Sequence, residues 1–476
     1  MIVGIIIPIA TGNQEMIILA PLIALVGILI LFLGRLTRED GRLPIADIGS
    51  FYVLAIFAYG AIPLLFHLLS GMQLTVLSHG RLLSLNPPPI EYALVGWLHV
   101  VFMATFVLTY ISIRKANPFL EGKALVVTKN TLKVLLLMWL MFEGYFLYLK
   151  LFMGINFSTA YDSSLYESAA AYAQLGTTQQ QFVAHPLGML SAIKIGLIIW
   201  LTSKWKSRAH RLVLIAVLFY ILWGYLQAPG GRFAIISIFL TVMLAYHQLV
   251  QPIRFRKALF YGFLLLITFF AANIYRGQDT GNVGLAFDFI KETSGGGSGL
   301  FSFSNEFQIS YGSIMELENN LYNNFFGGIP WQVYFHDILL LVPNQLLPFE
   351  KIDPVLWYVK ATNNPDYFNY GVIARSIIGF GLVEVILFGL IMGGILASIH
   401  NWYIRNCGSF WHTFLYIWIA IVVYQSFRNV STYVAPLFLY QWLPVYLLAS
   451  FLVWILPKRS SPYPSSVSVG FCRAMI

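Results

Sequence analysis

Long apolar segments alternate with short polar connections along most of the chain. A helix that spans a membrane needs about 20 consecutive, mostly apolar residues. Segments of that kind predict about eleven transmembrane helices. They lie near residues 16–34, 48–70, 91–113, 132–153, 188–203, 211–227, 232–250, 258–275, 376–400, 410–427 and 434–456.

Lysine and arginine are concentrated in every second connection between these segments. Nineteen of the 29 lie in one set of connections, eight lie in the other set, and two lie within apolar segments. Cytoplasmic connections of membrane proteins carry the excess of basic residues. We therefore expect a multi-pass protein with its N-terminus outside and its C-terminus in the cytoplasm.

Two of the connections assigned to the outer side are long, namely 154–187 and 276–375. The second is rich in Trp, Tyr, Phe and Asn, a composition that disordered segments avoid, so we expect it to be folded. Its apolar stretch 337–349 is too short to cross a membrane, which favours a re-entrant or interfacial segment.

These features predict four parts of the chain. Residues 1–275 form an N-terminal transmembrane bundle of about eight helices, and 276–375 form a partly helical extracytoplasmic loop domain. Residues 376–457 form the C-terminal transmembrane helices. Residues 458–476 form a cytoplasmic tail, for which the Ser- and Pro-rich composition predicts disorder.

Composition supports the same fold class. Hydrophobic residues make up 58% of the chain and charged residues 10%, whereas soluble domains are about 25% charged. This excludes a soluble enzyme, a disordered protein and a disulfide-rich secreted scaffold, and it predicts an all-α polytopic membrane protein. Two cysteines, Cys407 and Cys472, are too few for a disulfide framework or a thiolate metal site. The net charge of +9 lies in short blocks between spans and does not indicate nucleic-acid binding.

Four arginines lie on the face assigned to the outside. Arg232 follows a Pro-Gly-Gly turn and begins a predicted helix, where backbone N–H groups and the helix dipole favour an anion. Arg276 and Arg428 end predicted helices, and Arg375 begins the span after the long loop. Guanidinium groups bind phosphate through paired hydrogen bonds, so these residues predict a phosphate site. The alternative is that they anchor helices at lipid headgroups.

The long outer loop contains candidates for a general base. They are Glu306, Glu316, Glu318 and the neighbours His336 and Asp337. The alternative for each is a solvated loop residue or a hydrogen-bonding group for sugar hydroxyls. The loop also contains aromatic residues that suit stacking on sugar rings, namely Trp331, Tyr334, Trp357, Tyr358, Tyr367 and Tyr370. These side chains equally fit the core of the loop or an interfacial belt.

Four ionisable residues fall within predicted spans, namely Glu143, Lys150, Lys194 and Glu384. Such residues are costly in a bilayer and are often functional. One interpretation is a buried ion pair that involves Glu143 and either Lys150 or Lys194. The other interpretation is a proton or ion path through a transporter.

Four short motifs carry a resemblance to a known family. They are APGGR at 228–232, YRGQ at 275–278, FGGIP at 326–330 and YGVIARSIIGFG at 370–381. With the many spans and the large late outer loop, the chain resembles the bacterial O-antigen and exopolysaccharide repeat-unit polymerases (Wzy-type). The likeness in architecture covers almost the whole chain.

The last motif departs from the family pattern at one position. Many relatives carry an acid just before its Phe-Gly, and this chain has Arg375 there. If an acid is needed, Glu306 or Glu384 would have to supply it.

The resemblance implies a polysaccharide polymerase, which is a membrane glycosyltransferase. It transfers a glycan en bloc from polyprenyl diphosphate to a sugar hydroxyl of another lipid-linked repeat unit at the outer face of the inner membrane. Preorganised cations stabilise the leaving diphosphate, without a cofactor or metal. Arg232 and Arg276 are expected to hold the diphosphate, and Arg375 and Arg428 to shape the second lipid-linked site.

Further expectations follow from the same resemblance. Glu306 or His336 would orient or deprotonate the acceptor hydroxyl, and Trp331 and Tyr370 would bind sugar. The expected partners are polyprenyl-diphosphate-linked oligosaccharides and membrane lipid, with a chain-length regulator and a flippase as further candidates. The expected location is the bacterial inner membrane, in lipopolysaccharide or exopolysaccharide biosynthesis.

Two other function classes remain open. An O-antigen ligase, or another transferase of lipid-linked sugars, would use a different acceptor, which for the ligase is the lipid A core. A secondary transporter or flippase would bring the ionisable residues of the spans together at the membrane midplane, and would not need the outer loop.

Overall fold

The computed structural model describes most of the apolar segments and part of the long outer loop. The described residues are 14–42, 44, 47–70, 74–78, 81–85, 88–116, 129–153, 177–227, 232–254, 256–258, 260, 262, 328–339, 342, 346–352, 354, 357, 371–428 and 434–455.

The described residues are mainly helical. In chain order the α-helices are α1 (Gln14–Asp40), α2 (Ile48–Ser70), α3 (Pro89–Ile113), α4 (Lys129–Met153), α5 (Thr177–Ser203), α6 (Arg208–Gln227), α7 (Arg232–Leu249), α8 (Trp331–Tyr334), α9 (His336–Leu339), α10 (Gly371–Ile378), α11 (Leu382–Asn406), α12 (Phe410–Val422), α13 (Gln425–Arg428), α14 (Val434–Leu437) and α15 (Leu443–Ile455). A π-helix, Phe438–Trp442, joins α14 to α15.

Helices lie at ten of the eleven predicted positions. Among the described residues, seven helical segments are long and apolar enough to cross a membrane, namely Met16–Asp40, Ile48–Leu65, Pro89–Ile113, Asn130–Leu149, Pro186–Ser203, Leu382–Asn406 and Phe438–Ile455. Shorter apolar helices are Ser237–Leu249 and Phe410–Val422. The predicted span 258–275 lies almost entirely outside the described residues. The chain is therefore a helical protein with several membrane-length helices.

A short antiparallel hairpin follows α2 in a connection that we assigned to the outer side. Strand β1 (Leu74–Ser78) pairs with β2 (Arg81–Leu85), and Val76 lies opposite Leu83. The β-branched Thr75 and Val76 of β1 favour a strand, and leucines make up most of β2.

The chain divides into two compact units. The first contains Met1–Asn117, Lys291–Asn401 and Val422–Pro436, and the second contains Pro118–Ile290, Trp402–Ile421 and Leu437–Ile476. In the first unit, α1, α2 and α3 pack against one another. In the second unit, α5 contacts α4, α6, α7 and the π-helix.

Helix α11 lies close against α3 because glycines face the contact. A Cβ atom at Gly389 would lie 3.0 Å from the Phe102 carbonyl, and one at Gly393 would lie 2.8 Å from the Phe106 carbonyl. A side chain near the end of α11 donates a hydrogen bond to the last carbonyl of α3. The two helices therefore run in the same direction, and small residues let their backbones approach.

Asp47 determines where α2 begins. Its Oδ1 accepts hydrogen bonds from the backbone N–H groups of Gly49 at 2.9 Å and Ser50 at 3.1 Å. An aspartate at this position satisfies N–H groups that lack a partner in the first turn of a helix.

The same carboxylate belongs to a buried charged cluster. Arg114, which follows α3, donates a hydrogen bond to Asp47 Oδ2 at 2.9 Å. It also donates a hydrogen bond to the carboxylate of Asp40 in α1. The Tyr110 hydroxyl donates a hydrogen bond to Asp47 Oδ1 at 2.8 Å. Nδ1 of His400, in α11, lies 3.5 Å from Asp47 Oδ2. These contacts tie four helices of the first unit together.

Burial and charge act in opposite directions on this cluster. Burial by itself would raise the pKa of Asp47, but His400, Arg114 and the Tyr110 hydroxyl lower it more, so that it lies below its ordinary value of 3.8. Burial would lower the pKa of Arg114, but Asp47 and the other negative partners raise it above its ordinary range. Both groups are therefore charged at neutral pH.

Candidate functional site

Arg375 lies in the short helix α10, and all eight residues of that helix are buried. The prediction that Arg375 begins a span over 376–400 is wrong. The chain turns at Gly381, whose φ of +61° is left-handed and favours glycine. The membrane-length helix α11 then begins at Leu382.

The turn between α10 and α11 brings Arg375 against Glu384. Arg375 Nε donates to Glu384 Oε1 at 2.7 Å, and the two side chains are 5% and 8% exposed. Glu384 is in the first turn of α11, where the helix dipole favours a negative charge. Its Oε2 also accepts a hydrogen bond from the N–H of Phe380 at 3.3 Å. The turn at Phe380 and Gly381 therefore contacts a carboxylate, which comes from Glu384 after the turn.

Tyr334, which lies in the outer-loop helix α8, is a third side chain in contact with this ion pair. Its hydroxyl donates to Glu384 Oε2 at 3.1 Å. We call Arg375, Glu384 and Tyr334 the clasp.

Aromatic rings flank the guanidinium of the clasp. Arg375 Cζ lies 4.7 Å from the ring centre of Phe388 and 5.6 Å from that of Tyr334. Ring faces attract a cation most strongly where water is excluded. The rings and the carboxylate together allow this charge to be buried.

The loop segment that carries Tyr334 packs on α10. Ile329 and Val333 form an apolar core with Ala374 and Ile378, and Tyr334 packs against it. Residues 328–330 end one motif of the family resemblance, and α10 lies within another. The fold therefore joins two motifs that are more than forty residues apart in sequence.

The clasp lies beside the middle of a membrane-length helix. The Phe388 ring, which covers Arg375, stacks on Phe102 of α3 with ring centres 6.0 Å apart. Phe102 is near the centre of α3, which runs from Pro89 to Ile113. That Arg375 lies near the outer edge of a membrane stays a prediction. A direct bond from Arg375 to a diphosphate would require the clasp to open.

Comparisons of the chain with protein-family models, with curated proteins and with solved structures find no match.

Two other predicted site residues are described near the clasp. His336 Nδ1 lies 3.1 Å from the carbonyl oxygen of Ile352, and this hydrogen bond holds the loop together. When Nδ1 carries the proton, Nε2 keeps its lone pair and is the basic atom. Trp331 is half exposed and meets the edge of Phe349, with ring centres 4.9 Å apart.

The remaining predicted site residues are not brought to the clasp by any described contact. Arg232 is the first residue of α7, as predicted, and it lies in the second unit. Arg428 is the last residue of α13, and α13 packs on α10, the helix that carries Arg375. The side chains of Arg232 and Arg428 are not among those described. The rest, Arg276, Glu306 and Tyr370, lie outside the described residues.

Glu143 and Lys194 form an ion pair in the second unit. Lys194 Nζ lies 3.1 Å from Glu143 Oε1, and the indole N–H of Trp139 donates to the same oxygen at 2.9 Å. This agrees with the interpretation of an ion pair between helices. The side chain of Lys150 lies outside the described set.

Sequence reasoning named Arg375, Glu384 and Tyr334 separately and missed their association. The signal that could have revealed one contact is Gly379-Phe380-Gly381, because two glycines around one residue favour a turn. Such a turn would place Arg375 near Glu384. The contact of Tyr334 has no comparable signal in the chain.

We expect Gly379→Ala to separate the clasp. A Cβ atom at Gly379 would collide with both Glu384 Oε2 and the Tyr334 hydroxyl. Relieving such overlap costs about 1–3 kcal/mol, measured as a lower free energy of unfolding in mixed detergent micelles. The matched control is Gly394→Ala, where the nearest atom to the new Cβ is 3.9 Å away. Equal stability of the two variants would contradict this packing.

Proposed function

We propose that the protein is a membrane glycosyltransferase that polymerises polyprenyl-diphosphate-linked repeat units. It transfers a lipid-linked glycan en bloc to a sugar hydroxyl of another lipid-linked repeat unit. We place the reaction at the outer face of a bacterial inner membrane, in a chain of about eleven spans with a large outer loop. The product is O-antigen or exopolysaccharide.

One structural observation supports the proposal most directly. Two motifs of the family resemblance meet in the first unit, where Ile329 of the first motif shares an apolar core with Ala374 and Ile378 of the second. Tyr334, which follows the first motif, bonds to Glu384, which follows the second. A transferase that uses its outer loop to hold sugars needs that loop fastened to the membrane helices. A transporter that works without the outer loop would not need these buried contacts between the loop and α10 and α11.

The reaction needs positive charge where the diphosphate leaves. Arg232 lies at the N-terminus of α7, where its charge and the backbone N–H groups act together on an anion. Arg276, at the entrance of the outer loop, is the second candidate. In this proposal Arg375 is a positioning residue, because Glu384 already holds its guanidinium.

The acceptor hydroxyl needs a base or an orienting group. His336 is a candidate because a hydrogen bond from Nδ1 to Ile352 would leave Nε2 to accept the proton. Glu306 is the other candidate.

We expect Arg232→Ala to stop glycan growth after one repeat is attached. Loss of a preorganised group that stabilises transition-state charge lowers the rate about 10²–10³-fold. The measurement is the length ladder of surface glycan in cells with matched amounts of protein. Arg254→Ala is the control, because Arg254 is an exposed residue in a basic connection.

The purified protein separates the function classes. With lipid-linked repeats alone, a ladder of longer lipid-linked chains supports a polymerase. Growth only after addition of a lipid A core acceptor would indicate a ligase. A transporter would be favoured if the Arg232→Ala variant gave a normal glycan length ladder and neutralisation of Glu143 abolished activity.

A further inference from the structure

The segment α8–α9 has one face that is apolar and exposed. Trp331, Phe335 and Ile338 are 50%, 51% and 59% exposed, and their spacing places them on one side of a helix. Val333 and Leu339 are buried. Three large apolar side chains on one exposed face indicate an apolar partner.

The backbone of this segment is suited to a medium without water. Helical hydrogen bonds continue across the junction of α8 and α9, from the N–H of Phe335 to Trp331 and from the N–H of Leu339 to Phe335. Pro330 precedes the helix and has no N–H to satisfy. In lipid, backbone polar groups must be paired within the protein.

The depth of the segment follows from the clasp. Tyr334 bonds Glu384 at the start of α11, and Phe388, one turn further along α11, stacks on Phe102 near the centre of α3. Helix α3 has 25 residues and is therefore about 37 Å long. The hydrocarbon core is about 30 Å thick, so a bilayer centred on α3 would enclose the contact between Tyr334 and Glu384, which lies one turn of α11 from the middle of α3.

The exposed face of α8–α9 continues into a face of α11. The Tyr334 ring stacks on Phe380, which is exposed, with ring centres 6.0 Å apart. Beyond Phe380, the exposed large apolar side chains of α11 are Leu382, Val383, Leu387, Leu390, Ile391 and Ile395. On a membrane-spanning helix such a face contacts acyl chains.

We propose that α8–α9 is a re-entrant element within the hydrocarbon region, and that Trp331, Phe335 and Ile338 contact lipid acyl chains. The occupant of this face is the bilayer itself. The clasp then fastens a membrane-embedded part of the outer loop to α11. This inference holds whichever reaction the protein catalyses.

Nitroxide accessibility tests the proposal on the full chain in vesicles of phosphatidylethanolamine and phosphatidylglycerol. Cys407 and Cys472 are replaced by Ser, and a single Cys is introduced by Phe335→Cys or Ile338→Cys. Ile391→Cys is the lipid-facing control and Arg254→Cys is the water-facing control. Power saturation with oxygen and with a water-soluble nickel chelate measures the contact of each label with lipid and with water.

The expected oxygen-to-nickel accessibility ratio at both loop sites matches that at Ile391→Cys. A ratio closer to that at Arg254→Cys, at either site, overturns the proposal. A membrane-impermeant maleimide gives a second measurement on the unlabelled single-Cys proteins. Slow reaction at positions 335 and 338, as at 391, is the expected result, and reaction as fast as at 254 contradicts it.

Discussion

Glu384→Gln is expected to lower the free energy of unfolding by about 3–5 kcal/mol, because it removes the carboxylate that pairs with the buried guanidinium of Arg375. The two side chains are almost fully buried, and the structure places them beside the middle of α3. Arg375→Met should cost a similar amount, because Glu384 would then be the unpaired charge. Unfolding in mixed micelles of a mild detergent and dodecyl sulfate measures both values.

The double variant Arg375→Met/Glu384→Leu should recover much of the stability that either single variant loses. Replacing a buried ion pair by apolar residues of similar volume is often neutral or stabilising. The control is Arg35→Gln, which removes a mostly exposed pair with Glu39 and should cost less than about 1 kcal/mol. If the two single losses simply add in the double variant, the side chains do not interact and the clasp is wrong.

Asp47→Asn should also cost about 3–5 kcal/mol at neutral pH, because it removes a buried partner of Arg114. Asparagine still caps a helix N-terminus, so the variant changes mainly the charge of the cluster. Equilibrium unfolding of the variant and of the parent protein, measured across pH, gives the difference in free energy.

The pH dependence of that difference has a definite sign. The pKa of Asp47 in the folded protein is below its ordinary value of 3.8. Its stabilising effect is therefore complete above that value and is lost as the pH falls below it. The difference between Asp47→Asn and the parent should shrink in that acidic range and stay constant from mildly acidic to neutral pH. A difference that disappears near pH 6 would instead point to a histidine.

Glu39→Gln is the matched control for this cluster. Glu39 Oε2 lies 3.4 Å from the guanidinium of Arg114, but the Glu39 side chain is partly exposed. Solvent screening weakens such a pair, so that the expected loss is below about 1 kcal/mol. If Glu39→Gln lowered the free energy of unfolding as much as Asp47→Asn does, the buried contacts of Arg114 would not be the main source of the cluster's stability.

The clasp changes the chemical interpretation of the four outer arginines. A shared diphosphate site was predicted from their common side of the membrane. Arg375 has a carboxylate partner and lies between two aromatic rings, which fits a positioning role better. Arg232 keeps the features of an anion site, because it begins α7.

Local composition was enough to predict the positions of the helices. The length of an apolar run decides whether a segment reaches across a bilayer, and this property needs no knowledge of neighbours. Helices such as α2 and α3 therefore lie within a few residues of the predicted segments. The break between α10 and α11 was not predicted, because α10 is as apolar as a span and only Gly379, Phe380 and Gly381 separate the two helices.

The sequence by itself determined that this is a helical membrane protein with its basic residues in alternate connections, since both properties are sums over neighbouring residues. The tertiary structure alone decided that Arg375, Glu384 and Tyr334 meet, and that they meet beside the middle of α3. The depth and partner of a charged side chain depend on how far each helix is shifted along the next. Contacts such as those of Gly389 with α3 set that shift, and a single sequence does not encode it in any local pattern.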